Sequence, residues 1–290
     1  MHLNYFAGEA MNPHQFQTII VGLDFSPYSK NVLKQAIAIA GKKLRLVIVH
    51  TINTSYLVTG VNLFIGVRSG VIGPLTQDIK KFYKLDDLAP HAKVVVAFGN
   101  PADHIVRLAK TFPSPLIVIG QYGKSSLAGR LFLGSTAESI ALRATSPVWI
   151  QKGSQIIHPQ KILIPCDFSS RTENAIAIAK TLASTRKSHL ELFHIEQDFF
   201  PEIGDSQLKD ALKNFQEKET TFKKKFLKRY AKIKFFNKIG EPAAEIIKAA
   251  KKFDLVVMAP HRRRGLFSSF GSVTGKVVRA GTIPVLISRS

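Results

Sequence analysis

The chain of 290 residues is 45% hydrophobic with a mean hydropathy of +0.06, which excludes a disordered chain and leaves room for two ordinary cores. Its single cysteine, Cys166, excludes an intramolecular disulfide and suits a reducing cytoplasm. The formal charge of +21 divides into 15 Lys/Arg against 7 Asp/Glu over residues 1–150 and 26 against 13 over residues 151–290, so both halves attract anions, whether nucleotide, nucleic acid or lipid.

Met1 to Gln17 lacks the basic start and apolar core of a signal peptide and reads as a short extension. Thr18-Ile-Ile-Val-Gly22 reads as a buried strand, followed by Leu23-Asp24-Phe25-Ser26 and an alanine-rich helical pattern, Val32 to Ala40. Val47 to His50 is the next strand. The most apolar long window, Tyr56 to Leu75, carries Arg68 and four glycines, which makes a poor membrane span; it reads as a hydrophobic loop and the start of a helix. Phe98-Gly-Asn-Pro-Ala102 marks a strand end and a helix that accepts proline in its first turn.

The chemically richest segment follows the strand Pro115 to Ile119. It is Gly120-Gln-Tyr-Gly123, then Gly134-Ser135-Thr136 at the start of a helical pattern. Glycines let backbone N–H groups curl around an anion, and hydroxyls beside the positive end of a helix dipole add donors, so the chemistry is phosphate binding. A Walker loop is excluded, because the required glycine position is Val118.

The same pattern then recurs. Asp24-Phe-Ser26 answers Asp167-Phe-Ser169; Val47 to His50 answers Glu191 to His194; Gly99-Asn-Pro-Ala102 answers Gly240-Glu-Pro-Ala243; Leu116 to Ile119 answers Leu255 to Met258; and Thr145 to Ile150 answers Thr282 to Ile287. These marks, in one order, are an internal duplication of a β-α-β-α-β-α-β-α-β unit, with domains at 16–152 and 160–290 and the polar stretch Gln151 to Gln160 as linker. In such α/β sheets ligands lie at the carboxyl ends of strands where strand order reverses, so Asp24 and the glycine segment converge on one crevice.

With these marks the chain resembles a tandem universal stress protein from about Phe16 to Ile287. The resemblance implies two open parallel-sheet, Rossmann-like domains of the adenine-nucleotide alpha-hydrolase-like class, paired through their last strands, Val148 to Ile150 and Val285 to Ile287, as a pseudo-dimer. It also implies ATP or a related adenine nucleotide in the first copy, at Gly22, Leu23, Asp24, Thr51, Gly120, Gly123, Gly134, Ser135 and Thr136, with Mg²⁺ held through the phosphates. One more residue separates Gly123 from Gly134 than the family pattern has. The second copy departs further: Ala259 and Arg262 stand where the two glycines belong, leaving a degenerate site of Pro165, Cys166, Asp167, Ile195, Arg262, Gly271 and Ser272. The implied role is nucleotide-linked stress adaptation in the cytoplasm, with slow ATP hydrolysis at most and homodimers through exposed edges.

Other residues read more plainly. His50 and His194 are packed strand residues. Asp167 beside Cys166 raises the thiol pKa and opposes reactivity. Neither Ser26 nor Ser169 has an identified base, so a hydrolase triad has no foundation in the sequence, and no histidine pair suits zinc. The run Lys223 to Arg229 lies on an expected helix, Ser206 to Tyr230, with Leu208, Leu212, Phe215, Phe222 and Phe226 near one face. Its basic side is a solvated face, or else a patch for an anionic partner. A nucleotide-independent scaffold that engages such a partner is the alternative to nucleotide binding.

Overall fold

A computed structural model describes residues 16–52, 61–122, 133–183, 189–196, 217, 220–221, 223–260 and 271–289. The first half runs β1 (Thr18–Gly22), α1 (Pro27–Ala40), β2 (Arg45–Ile52), α2 (Val61–Tyr83), α3 (Leu85–Leu88), β3 (Lys93–Phe98), α4 (Pro101–Ala109), β4 (Pro115–Gly120), α5 (Ser135–Arg143) and β5 (Val148–Gln151). The second runs β6 (Lys161–Pro165), α6 (Ser170–Ala183), β7 (His189–Glu196), α7 (residues 223–229), β8 (Lys234–Ile239), α8 (Pro242–Ala250), β9 (Leu255–Met258), α9 (Ser272–Ala280) and β10 (Val285–Ile287).

All ten strands form one sheet in the order β3-β2-β1-β4-β5-β10-β9-β6-β7-β8. Pairings within each half are parallel, and the halves meet where β10 runs antiparallel to β5, with Leu286 opposite Trp149. The two strands expected to need partners therefore satisfy each other.

Continuous β-branched runs suit a sheet covered on both faces, and alternate residues serve alternate cores. Ile19, Val21, Leu116, Val118 and Trp149 pack with α1, α2 and α6, whereas Ile20, Ile117, Ile119, Val148 and Ile150 pack with α4, α5, α8 and α9. Each cluster continues through the second half, so neither core stops at the seam.

Helix starts follow the repeated punctuation. Asn100 Oδ1 accepts the N–H groups of Ala102 and Asp103, and Glu241 accepts that of Ala244, just before Pro101 and Pro242. The preceding Gly99 and Gly240 have φ of 112° and 153°, a region that excludes most side chains.

Three sequence expectations need adjustment. The window Tyr56 to Leu75 is helical from Val61 onward, and α2 carries Pro74 inside it. The expected helix Ser206 to Tyr230 is helical at 217, 220–221 and 223–229, while Leu208, Leu212, Phe215 and Phe222 lie outside the described residues. The expected linker begins inside β5, and its far part is pinned: Gln35 of α1 donates to the Ile157 carbonyl at 2.9 Å and accepts the Ile157 N–H at 2.6 Å. Among the described residues no helix is long and apolar enough to cross a membrane.

Candidate functional site

The turn after β1 is built by its own residues. Asp24 Oδ1 accepts the Ser26 N–H at 3.0 Å, which closes a tight turn and forces Phe25 to φ of 61°. That left-handed backbone is costly for phenylalanine, and its surroundings hold it there. Its N–H donates to the Tyr83 hydroxyl at 2.9 Å, and its ring meets His50 edge-on at 4.8 Å. His50 Nδ1–H in turn donates to the Leu23 carbonyl at 2.9 Å, so this histidine is a brace for the turn.

The second half repeats the device. Phe168 has φ of 57°, Ser169 donates to Asp167 Oδ1 at 3.0 Å, and His194 Nδ1–H donates to the Cys166 carbonyl at 2.8 Å. Both halves thus present an aspartate at the carboxyl end of their first strand on the same scaffold.

In the first half this turn opens onto a crevice of about 340 Å³ between the ends of β1, β2 and β4 and the start of α5. Gly22, Leu23, Asp24, Thr51, Gly120, Gly134, Ser135 and Thr136 all line it. Gly123 lies outside the described residues. Sequence reasoning missed the apolar wall of Val32, Val49, Ile105, Ile119 and Leu133, and also Ser29, Gln121 and Tyr122. Val49 and Ile119 sit on the expected strands, so strand alternation with Thr51 and Ile117 was the available signal for them.

Three local features give the crevice its chemistry. The N-cap of α5 is Gly134, which supplies no side chain to the first-turn amides, and Ser135 and Thr136 stand exposed beside them. The Thr51 hydroxyl is buried and makes no hydrogen bond among the described residues. Gly120 serves packing as much as ligand access, because a Cβ there would lie 2.9 Å from the Tyr28 ring. Tyr28 fills that space and donates to the Gln151 carbonyl at 2.8 Å; burial pushes its phenol pKa up strongly, so it stays a neutral donor.

The second half differs at the corresponding points. Asp167 Oδ1 accepts Ser169 N–H, Ser169 Oγ–H and Thr172 Oγ1–H, the last at 2.6 Å, so its own turn engages it heavily. Burial pushes the Cys166 thiol up to about 12, with Asp167 a smaller contributor than the sequence suggested, and the Sγ accepts the Phe168 N–H. Pro165 ends β6, Ile195 lies on β7, and Gly271-Ser272 opens α9; Arg262 lies outside the described residues. A cavity of about 100 Å³ near the end of β9 is lined by Arg171, Asn174, Ala259, Pro260, Thr145, Ser288 and Arg289, and takes in none of the expected second-site residues. Among the described residues, no three His, Cys, Asp or Glu side chains gather as a metal site.

Comparison with known proteins identifies the family and the fold. A family model described as the universal stress protein family matches residues 15–152 and 159–289. A universal stress protein of Mycolicibacterium smegmatis is 30% identical over 189 residues, which are 60% of this chain and 61% of that relative. One from Mycobacterium tuberculosis is 27% identical over 303 residues, 93% of this chain and 96% of the relative. The crystal structure of a universal stress protein from Archaeoglobus fulgidus superposes with a TM-score of 0.67 at 18% identity, covering 95% of this chain and 99% of that one, a likeness of fold.

Proposed function

The chain belongs to the universal stress protein family, and on that premise we propose that its first half binds ATP or a related adenine nucleotide, while the second half keeps the scaffold of the site without its ligand. The observation that carries this reading is the first-half crevice, which joins an apolar wall, a buried hydroxyl with no partner among the described residues and a helix start without a side-chain cap, at the reversal of strand order. Its 340 Å³ lies in the usual range for small-molecule sites.

A flat base packs against Val49, Ile105 and Ile119, with Thr51 supplying a hydrogen bond at its edge. The phosphates lie at the start of α5, where the backbone N–H groups and the hydroxyls of Ser135 and Thr136 stabilise negative charge. Asp24 borders the nucleoside side and also closes its turn. Mg²⁺ accompanies the nucleotide through its phosphates and neutralises part of their charge. This reading includes no turnover step. Occupancy acts by favouring one conformation or partner over another, in the cytoplasm, as nucleotide-linked stress adaptation. A homodimer that forms through exposed sheet edges uses β3 or β8, since β5 and β10 pair within the chain.

The test is ATP titration of the stripped protein with Mg²⁺, comparing wild type with Ser135→Asp. A carboxylate at the first turn of α5 repels phosphate, so affinity falls about tenfold or more while the fold survives. Unchanged affinity in a folded Ser135→Asp protein would remove the phosphates from this helix.

A further inference from the structure

The second half carries a basic groove at the start of two of its strands. It has a volume of about 600 Å³ and lies where β7 and β8 begin, against the last turn of α6 and the end of α7. Lys180, Lys228, Arg229, Lys232 and Lys234 line it, with Glu191 as its one acid among the described residues. Arg229 pairs with Glu173 at 2.8 Å and Lys234 with Glu191 at 3.3 Å. Lys180, Lys228 and Lys232 have no carboxylate partner among the described residues, and all three are exposed. Converging ammonium groups repel one another, and a concave surface concentrates their field, so an anion is the favoured occupant.

The duplication supplies an internal comparison. In the first half the connection from Tyr83 to β3 holds α3, which buries Leu85 and brings Asp86 and Asp87. In the second half Tyr230 leads to β8 through Ala231, Lys232 and Ile233, without such a helix and without an acid. The shorter connection leaves the groove open and lines it with cations.

We infer that this groove is a second ligand site, for a compact, multiply charged phosphate compound of the inorganic or nucleoside polyphosphate class. Its volume is that of a small-molecule pocket. Its aromatic residue, Tyr230, is half-buried against Phe226 at 4.8 Å and lies under Lys180, so it offers no open face for stacking a nucleic-acid base. The site is separate from the first-half crevice. Because the halves run antiparallel, both open on the same edge of the sheet, but they lie about six strand spacings apart, roughly 30 Å.

Calorimetric titration of the full chain with inorganic tripolyphosphate tests this inference. Three proteins are compared: wild type, Lys228→Glu/Lys232→Glu, and the charge-matched control Lys42→Glu/Lys43→Glu in the exposed turn after α1. The expected result is saturable binding by wild type, weakened about tenfold or more in the groove variant and about twofold or less in the control. ATP in place of tripolyphosphate then separates the sources: a second ATP site lost only in the groove variant marks a nucleoside polyphosphate, and its absence marks an inorganic chain. Equal loss in both variants, or no saturable binding by wild type, would overturn the inference. Tight binding of a single-stranded oligonucleotide that tripolyphosphate fails to displace would also overturn it.

Discussion

At the scale of single residues, the two copies show how one scaffold supports different chemistry. The Asp-Phe-Ser turn, its left-handed phenylalanine and its bracing histidine recur in both halves. Position 29 is Ser and position 172, its counterpart, is Thr. Thr172 turns its hydroxyl onto Asp167, whereas Ser29 donates to the Ser26 carbonyl and meets the Tyr83 hydroxyl at 2.6 Å. A hydroxyl change of this size alters how far the carboxylate is committed to its own turn. Thr51 gives a sharper expectation. Its buried hydroxyl makes no hydrogen bond among the described residues, so Thr51→Val should stabilise the nucleotide-free protein by about 1 kcal/mol and also weaken ATP binding. Urea unfolding and ATP titration on the same variant check both signs. Loss of stability without loss of affinity would assign the hydroxyl a structural partner instead.

At the scale of elements, most of the fold follows from alternation and punctuation. The strands are legible because buried β-branched runs need both faces covered, and the helix starts because Asn100-Pro101 and Glu241-Pro242 supply an acceptor and a preset φ. Asn100→Ala should cost about 1 kcal/mol at every pH from 4 to 8, since the amide does not titrate. The Ala244 N–H, followed by the Lys276 contact, holds the Glu241 carboxyl below the usual carboxylate range. The contribution of Glu241 is therefore present above its unfolded-state value and lost as acid protonates it, so Glu241→Ala should converge with wild type at low pH. Denaturant midpoints at about pH 3 and at pH 7 distinguish the two caps, the first cap keeping its cost at both; a parallel pH dependence of the two variants would overturn this assignment. The short helix α3 was not legible, because four residues give no period to read. The apolar wall of the crevice was hidden for another reason: Ile105 and Leu133 come from segments far apart in sequence that only the sheet order brings together.

At the scale of the whole molecule, the halves are clasped reciprocally. Lys152, just after β5, donates to the carbonyls of Val278 and Gly281 at 2.7 and 2.6 Å at the end of α9. Arg289, in the matching place after β10, donates to the Ala141 carbonyl near the end of α5. Each half thus caps the last helix of the other with a basic residue, where the helix dipole is negative. The signal was present in Gln151-Lys152 and Ser288-Arg289, yet the exchange between halves needs the antiparallel seam to be known. Burial lowers the Lys152 amine to about 7 from 10.5. Between those values the unfolded chain holds a proton that the folded chain does not, so this residue makes stability rise with pH from about 7 to about 10. Lys152→Met should flatten that rise relative to wild type in thermal unfolding at pH 7, 8 and 9. An unchanged slope would show that the amine keeps its charge at the helix end.

Nucleotide binding at the first-half crevice is tested by release and identification of small molecules from the purified, denatured protein, followed by ATP titration of the stripped chain. The expected result is adenine nucleotide near one per chain, or saturable ATP binding at one crevice site that Ser135→Asp weakens. A folded wild-type chain that releases no nucleotide, and binds no ATP there with or without Mg²⁺, would contradict it.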